Sequence, residues 1–224
     1  MGEKSEQTRT RVDGVKALFG AFFFASGGAL VFYILSGVSL GGTFALAVAG
    51  AVAGAVAVRK RIAPDRRADL DRRLRAGLAA GLAGLAAYDG TRWAFVHVAH
   101  YRFKPFDVFS IFGQALAGRA LVGAHHATWW IDVAGVAFHV TNGLGFATAY
   151  TVWMGRRGVV AGVVFALALN VAMILLYPGW LKIRLLVEFV QVAMLGHIAY
   201  GAAVGATARA LLRRSEKVAG LVAA

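Results

Sequence analysis

An all-α bundle embedded in a membrane is the fold class this sequence predicts, on three observations. Six long apolar stretches run through the 224 residues. The composition is 59% hydrophobic and only 16% charged, with no Cys and a mean hydropathy of +0.65, whereas an ordinary soluble domain carries about 25% charged residues. Finally, Lys and Arg cluster in those gaps that would share one side of a bilayer.

A membrane helix needs about 20 mostly apolar residues, and six segments qualify: 14–36, 38–58, 76–100, 128–154, 158–177 and 185–212. The first is expected to remain as an anchor. Its leading stretch mixes acids with bases, and its apolar run exceeds the about 7 to 15 residues of a signal-peptide core. The segment 102–123 is also rather apolar but is broken by Pro105, Asp107, Gln114 and Arg119, so its placement decides the topology. If it does not cross, 18 of the 24 Lys and Arg fall on one side and five on the other, with Arg92 inside the third span. A seventh crossing would split the basic clusters between the two faces, against the positive-inside rule.

The expected organisation is therefore a cytoplasmic tail 1–13, one transmembrane domain 14–212 and a cytoplasmic tail 213–224. Within the domain, 59–75 is expected to be a basic cytoplasmic loop and 101–127 an outer re-entrant or interfacial segment, in a multi-pass protein of the plasma membrane. Trp129, Trp130 and Trp180 at outer helix ends and Trp153 at an inner one fit interfacial belts, and Trp93 does not. In the outer segment Asp107, Ser110 and Gln114 fall at i, i+3 and i+7, opposite Val108, Phe109, Ile111, Phe112 and Leu116. That pattern predicts a short helix, started by Pro105, with a polar face turned inward and an apolar face turned to lipid. Such a helix makes a lid over an outward-facing cavity.

The net charge of +13 invites a nucleic-acid reading, which the sequence does not support. The basic run from Arg59 to Arg75 has no aromatic residue to stack on bases, and attraction to anionic lipid accounts for it. Membrane lipids are the expected partners. Gly50 with Gly54, Gly77 with Gly81 and Gly201 with Gly205 recur at four-residue spacing, which lets helices approach closely in lipid. These faces serve either packing within the bundle or association with a second copy or a partner subunit.

Ionisable groups at bilayer depth cost about 2.5 to 3.5 kcal/mol on insertion scales, so each one needs a partner, water or a function. Asp89 and Arg92, at i and i+3, share a helix face and are expected to pair. Asp132, His139 and Asn142 return within about 80° of one direction and form a polar stripe. The sixth segment carries Glu188 with Gln191, and deeper His197 with Tyr200; the fifth carries Asn170. The His139 and His197 neighbourhoods both read H-x-x-polar-G, and a double Arg follows 17 and 16 residues later. Counted from the basic boundaries, Asp89, Arg92, His139, His197 and Asn170 fall at similar depth.

The expected binding layer is thus Asp89, Arg92, His139, Asn142 and His197, with Asp132, Asn170, Glu188, Gln191 and Tyr200 as relay or supporting residues. No P-loop, dinucleotide fingerprint, G-x-S-x-G, H-E-x-x-H or Asp-rich diphosphate motif is present, and no cofactor or metal is called for. His97 and His100 would make a better half-site than His125-His126, and equal depth permits but does not require a haem between His139 and His197. Three functions fit: a small transporter or permease, a membrane enzyme acting on a lipid or isoprenoid, and a structural subunit. The mixed charges and the lack of a nucleophile favour transport.

Overall fold

The computed structural model describes residues 14–121 and 128–222, and no strand occurs among them. Among the described residues seven helices are formed: α1 Gly14–Ser36, α2 Leu40–Arg61, α3 Pro64–Val98, α4 Asp107–Leu116, α5 Trp129–Met154, α6 Val159–Leu181 and α7 Leu186–Val222. A 3-10 turn at Phe22–Phe24 interrupts α1. Gly37 ends it with φ of 72°, a conformation that costs Gly nothing. Ser39 caps α2 by accepting from the Gly42 amide.

The all-helical expectation holds. Four helices are long and apolar enough to cross a membrane: α1, α2, α6 and the Leu186–Ser215 part of α7. The predicted segments 76–100 and 128–154 are helical too, as α3 and α5. They carry Asp89, Arg92, Asp132, His139 and Asn142, however, and these lower their hydropathy below that of the other four.

The basic segment 59–75 is not a loop. Arg59, Lys60 and Arg61 complete α2, and Pro64 already starts α3, leaving two residues between them. Proline suits a first helical turn. Arg59 pairs with Asp71 at 2.8 Å, and Arg67 caps the end of α2 by donating to the Ile62 and Lys60 carbonyls. Arg73, buried, donates to the carbonyls of Thr151 and Val152 near the end of α5 and pairs with Asp69 at 2.9 Å. A cation at a helix C-terminus satisfies carbonyls that have no intrahelical donor. The last helix, α7, continues past residue 212 to Val222.

The centre of the bundle is α3 against α5 and α7, with α6 laid along α7 and α4 along α5. Glycine sets these distances. A Cβ at Gly201 or Gly205 would collide with the Gly162 or Gly158 carbonyl, and one at Gly77 would lie 2.7 Å from Thr148 Cα. Backbone contact of this kind provides association where lipid offers helices no hydrophobic reason to meet. Two of the three glycine pairs are therefore spent inside the chain. Of the third, Gly54 meets Phe22 and Gly50 faces open space.

Candidate functional site

Asp89 sits on α3 and divides its carboxylate. One oxygen lies 3.1 Å from Arg92 Nη1, one turn along the same helix; the other lies 3.0 Å from His139 Nε2 on α5. The Arg92 side chain is buried, and its second nitrogen donates to the Pro105 carbonyl at 2.5 Å. Its guanidinium also lies over the rings of Tyr88, at 4.6 Å, and Phe106, at 5.4 Å, a favourable placement for a desolvated cation. Gly196 on α7 makes room for this cluster, since a Cβ there would press on Tyr88 and Arg92.

Around this network lies a cavity of about 220 Å³ bounded by α3, α5, α6, α7 and the 103–112 segment. Arg92, His139, Asn142, His197 and Tyr200 all line it, so four of the five predicted binding residues share one space; Asp89 stands behind His139. Tyr88 joins the two imidazoles, its ring centroid 5.8 Å from His139 and 5.0 Å from His197. His197 donates from Nδ1 to the Ala193 carbonyl at 2.8 Å, which fixes its tautomer and leaves Nε2 as an acceptor. Tyr200 donates to the Gly143 carbonyl at 2.6 Å.

The supporting residues divide into two groups. Asp132 accepts a short hydrogen bond from Ser110 of α4. Glu188 accepts from the Phe103 amide at 2.7 Å, and Gln191 accepts a short bond from the Tyr101 hydroxyl. All three fasten the 101–116 segment and none lines the cavity. The Asp132/His139/Asn142 stripe is thus two sites, because α4 lies across the first turns of α5 and takes Asp132 for itself. Asn170 is buried with its side-chain oxygen unpartnered, outside the cavity lining.

The 101–116 segment carries a further correction. Ser110 and Gln114 are buried as expected, but Phe112 is buried too, and Val108, Ile111 and Phe112 line the cavity with Asp107. The supposed lipid face of α4 therefore serves an apolar cavity wall. Gly113 and Gly135 bring α4 and α5 into backbone contact, where a Cβ on either would strike a carbonyl.

Sequence reasoning missed Tyr88, although it stands one turn before Arg92, and missed Leu169, Met173 and Tyr177 of α6, which carry no charge to draw notice. Among the described residues no three side chains are grouped to hold a metal ion. His97 donates from Nδ1 to the Trp93 carbonyl at 2.7 Å, and His125 and His126 lie outside the described residues. His139 commits Nε2 to Asp89, the nitrogen an axial haem ligand would use.

One wall of the cavity is thus polar and positively biased, the other apolar. The Asn142 oxygen is buried with no hydrogen-bond partner among the described residues. Unpaired buried acceptors cost about 1 to 3 kcal/mol each, which a bound molecule able to donate hydrogen bonds would recover.

No curated protein and no solved structure matches the chain. Residues 72–218, which contain every residue lining the cavity, match the model of DUF6789, a family of unknown function, and the chain belongs to that family.

Proposed function

We propose that this protein is a small permease-like transporter whose binding layer is Arg92, His139, Asn142 and His197, held by Asp89 and Tyr200. One observation carries the reading: a cavity inside the helical bundle gathers a shared ion pair, two imidazoles and an unpartnered amide at the meeting of four helices. Transport sites favour such polar groups at mid-bilayer depth. The proposed topology has six spans, α1, α2, α3, α5, α6 and α7, with α4 not crossing, since ten residues reach only ~15 Å. The basic end, holding Arg59 to Arg75, Arg156, Arg157 and Arg209 to Arg214, faces the cytoplasm together with both termini, in the plasma membrane.

The test is a thermal-shift screen of the purified protein against polar and amphipathic solutes, followed by counterflow of each hit in proteoliposomes. Arg92→Gln and His139→Ala should abolish both the shift and the flux. A hit that binds but never crosses would overturn transport.

The membrane-enzyme reading keeps one specific support, the imidazole of His139 oriented by Asp89 at 3.0 Å beside a cavity. A carboxylate that fixes a histidine is how a general base is held. Conversion of a bound hit to product, rather than its movement, would favour that reading.

A further inference from the structure

We infer that the cavity takes its ligand from the hydrocarbon of the bilayer, through a lateral window between α1 and α6, and that the ligand is a membrane-dissolved amphiphile with an apolar body and a hydrogen-bonding head. This rests on the reading of the cavity as a ligand site, and deepens it.

The chemistry of the walls comes first. The α6 wall is formed by Leu169, Met173, Tyr177 and Leu181 and holds no ionisable group other than the Tyr177 phenol. The polar groups stand opposite, on α3, α5 and α7. A freely hydrated solute would leave that apolar wall unsatisfied, whereas a molecule with one polar end matches both sides.

The packing supplies the route. α6 lies along α7, and it meets α5 closely near the basic end, where Tyr150 packs on Phe165 at 5.5 Å and donates to the Gly158 carbonyl. Farther along, Asn142 and Phe146 of α5 and Leu169 and Met173 of α6 face the same cavity from two sides. What stands outside that gap is α1. Phe24 touches Phe146 at 5.2 Å and Phe165 at 6.1 Å, and Tyr33 touches Trp180 at 5.7 Å. The Phe24–Phe165 and Tyr33–Trp180 pairs mark the two ends of the proposed window between α1 and α6. Its floor is the Phe146 ring, which a Cβ at Gly27 would meet at 2.6 Å, with the unpartnered Asn142 oxygen 3.9 Å from the same point.

At Gly28, one turn beyond Phe24 on the same helix face, an added Cβ would meet nothing within 4 Å. Space is thus open beside α1 at Gly28, and the Phe146 side chain stands between α1 and the cavity, which no α1 residue lines. The covering helix lies outside the residues matched by the family, and the cavity walls lie within them.

The chain has no cysteine, so a single Met173→Cys change places one thiol on the apolar wall. The protein is reconstituted in vesicles of phosphatidylcholine and phosphatidylglycerol and treated with N-cyclohexylmaleimide, which partitions into lipid, or with a sulfonated maleimide, which does not. The lipid-soluble reagent should label Cys at 173. Gly28→Phe, at a position where an added Cβ meets nothing within 4 Å, should slow that labelling by about tenfold, and Phe146→Ala should speed it as much, the factor given by ~1.4 kcal/mol in the cost of a local opening. The sulfonated reagent should not react. 1-Decanol should protect the thiol, and glycerol should not.

Labelling by the sulfonated reagent at a comparable rate, unchanged by Gly28→Phe and Phe146→Ala, would overturn lateral entry and leave a ligand site open to water. Protection by glycerol rather than decanol would overturn the amphiphile. Failure of both reagents in all three backgrounds would show a sealed interior, and the transport reading would fall with the window.

Discussion

His139 on α5 and Arg92 on α3 hold opposite oxygens of one carboxylate, Asp89, at 3.0 and 3.1 Å. The two helices are thereby joined by a charge-assisted pair at the edge of the cavity, and Arg92 extends the link to the Pro105 carbonyl of the covering segment. Breaking a buried pair by removing one partner costs about 3 to 5 kcal/mol, since the other charge is left uncompensated. Asp89→Asn or Arg92→Gln alone should therefore lower thermal stability sharply. The double change should be milder than the worse single one. Strict additivity in a double-mutant cycle would show that the pair seen here does not contribute.

His139→Ala is expected to behave differently. Its ring faces Tyr88 and Phe109 at 5.8 and 4.9 Å and the cavity beyond, not a glycine seam. Ligand-induced thermal shifts should vanish while the unliganded protein still folds and extracts normally. Loss of folded protein on this change would assign His139 to structure alone.

The covering segment gives a topological expectation. Lys104 and Arg119 are exposed on either side of α4, and Arg119 lies over Trp130 at 4.8 Å. Cysteines placed at 104 and 119 should react with an impermeant reagent added to the same face of the membrane, and a cysteine at 157 only from the opposite face. Opposite sidedness for 104 and 119 would make α4 a crossing element.

Much of this arrangement was legible because periodicity and charge spacing are local properties. The i, i+3 relation of Asp89 and Arg92 predicts their pairing, and equal distance from the double-Arg boundaries brings His139 and His197 to one cavity. The partners that came from elsewhere in the chain were not legible. Glu188, Gln191 and Asp132 read as relay or supporting residues, yet each hydrogen-bonds the 101–116 segment, whose fold depends on tertiary hydrogen bonds. The basic run 59–75 reads as a loop because its charges are conspicuous. It is helical because those charges pair at i, i+3 and i, i+4 with Asp69, and Arg73 finds the end of α5. Apolar cavity walls such as Met173 carry no signal that separates them from lipid-facing residues.

The glycine seam between α6 and α7 should be intolerant in a way that a lone lipid-facing glycine is not. At Gly162 a Cβ would strike the Gly201 carbonyl and lie 3.0 Å from Gly205 Cα, whereas at Gly50 it would meet nothing. Gly162→Ala should cost about 1 to 3 kcal/mol through overpacking. Gly50→Ala should be neutral or stabilising by up to about 1 kcal/mol, because alanine is the better helix former. Thermal unfolding of the two variants side by side in one detergent checks the contrast, and equal effects would remove the seam from the account.

At the basic end, Asp69 lies on the charged first turns of α3 among Arg72, Arg73 and Lys16. Burial pushes its carboxyl up, but hydrogen bonds from Arg73 and Arg72 and the nearby Lys16 charge outweigh this and hold it below the ordinary carboxylate range. A folded-state pKa depressed below the unfolded one contributes stability above the unfolded value, near pH 4, and loses it as pH falls through the folded value. Thermal stability should therefore drop below about pH 4, with the α3–α5 contact at Thr151 and Val152 loosening as Arg73 loses its carboxylate. Asp69→Asn should lower stability at pH 7 by about 1 to 3 kcal/mol, the worth of hydrogen bonds to charged groups, and should flatten the acid limb. An acid limb of unchanged depth in that variant would place the acid-sensitive group elsewhere, with Asp71, held low by its hydrogen bonds from Arg59, as the next to replace.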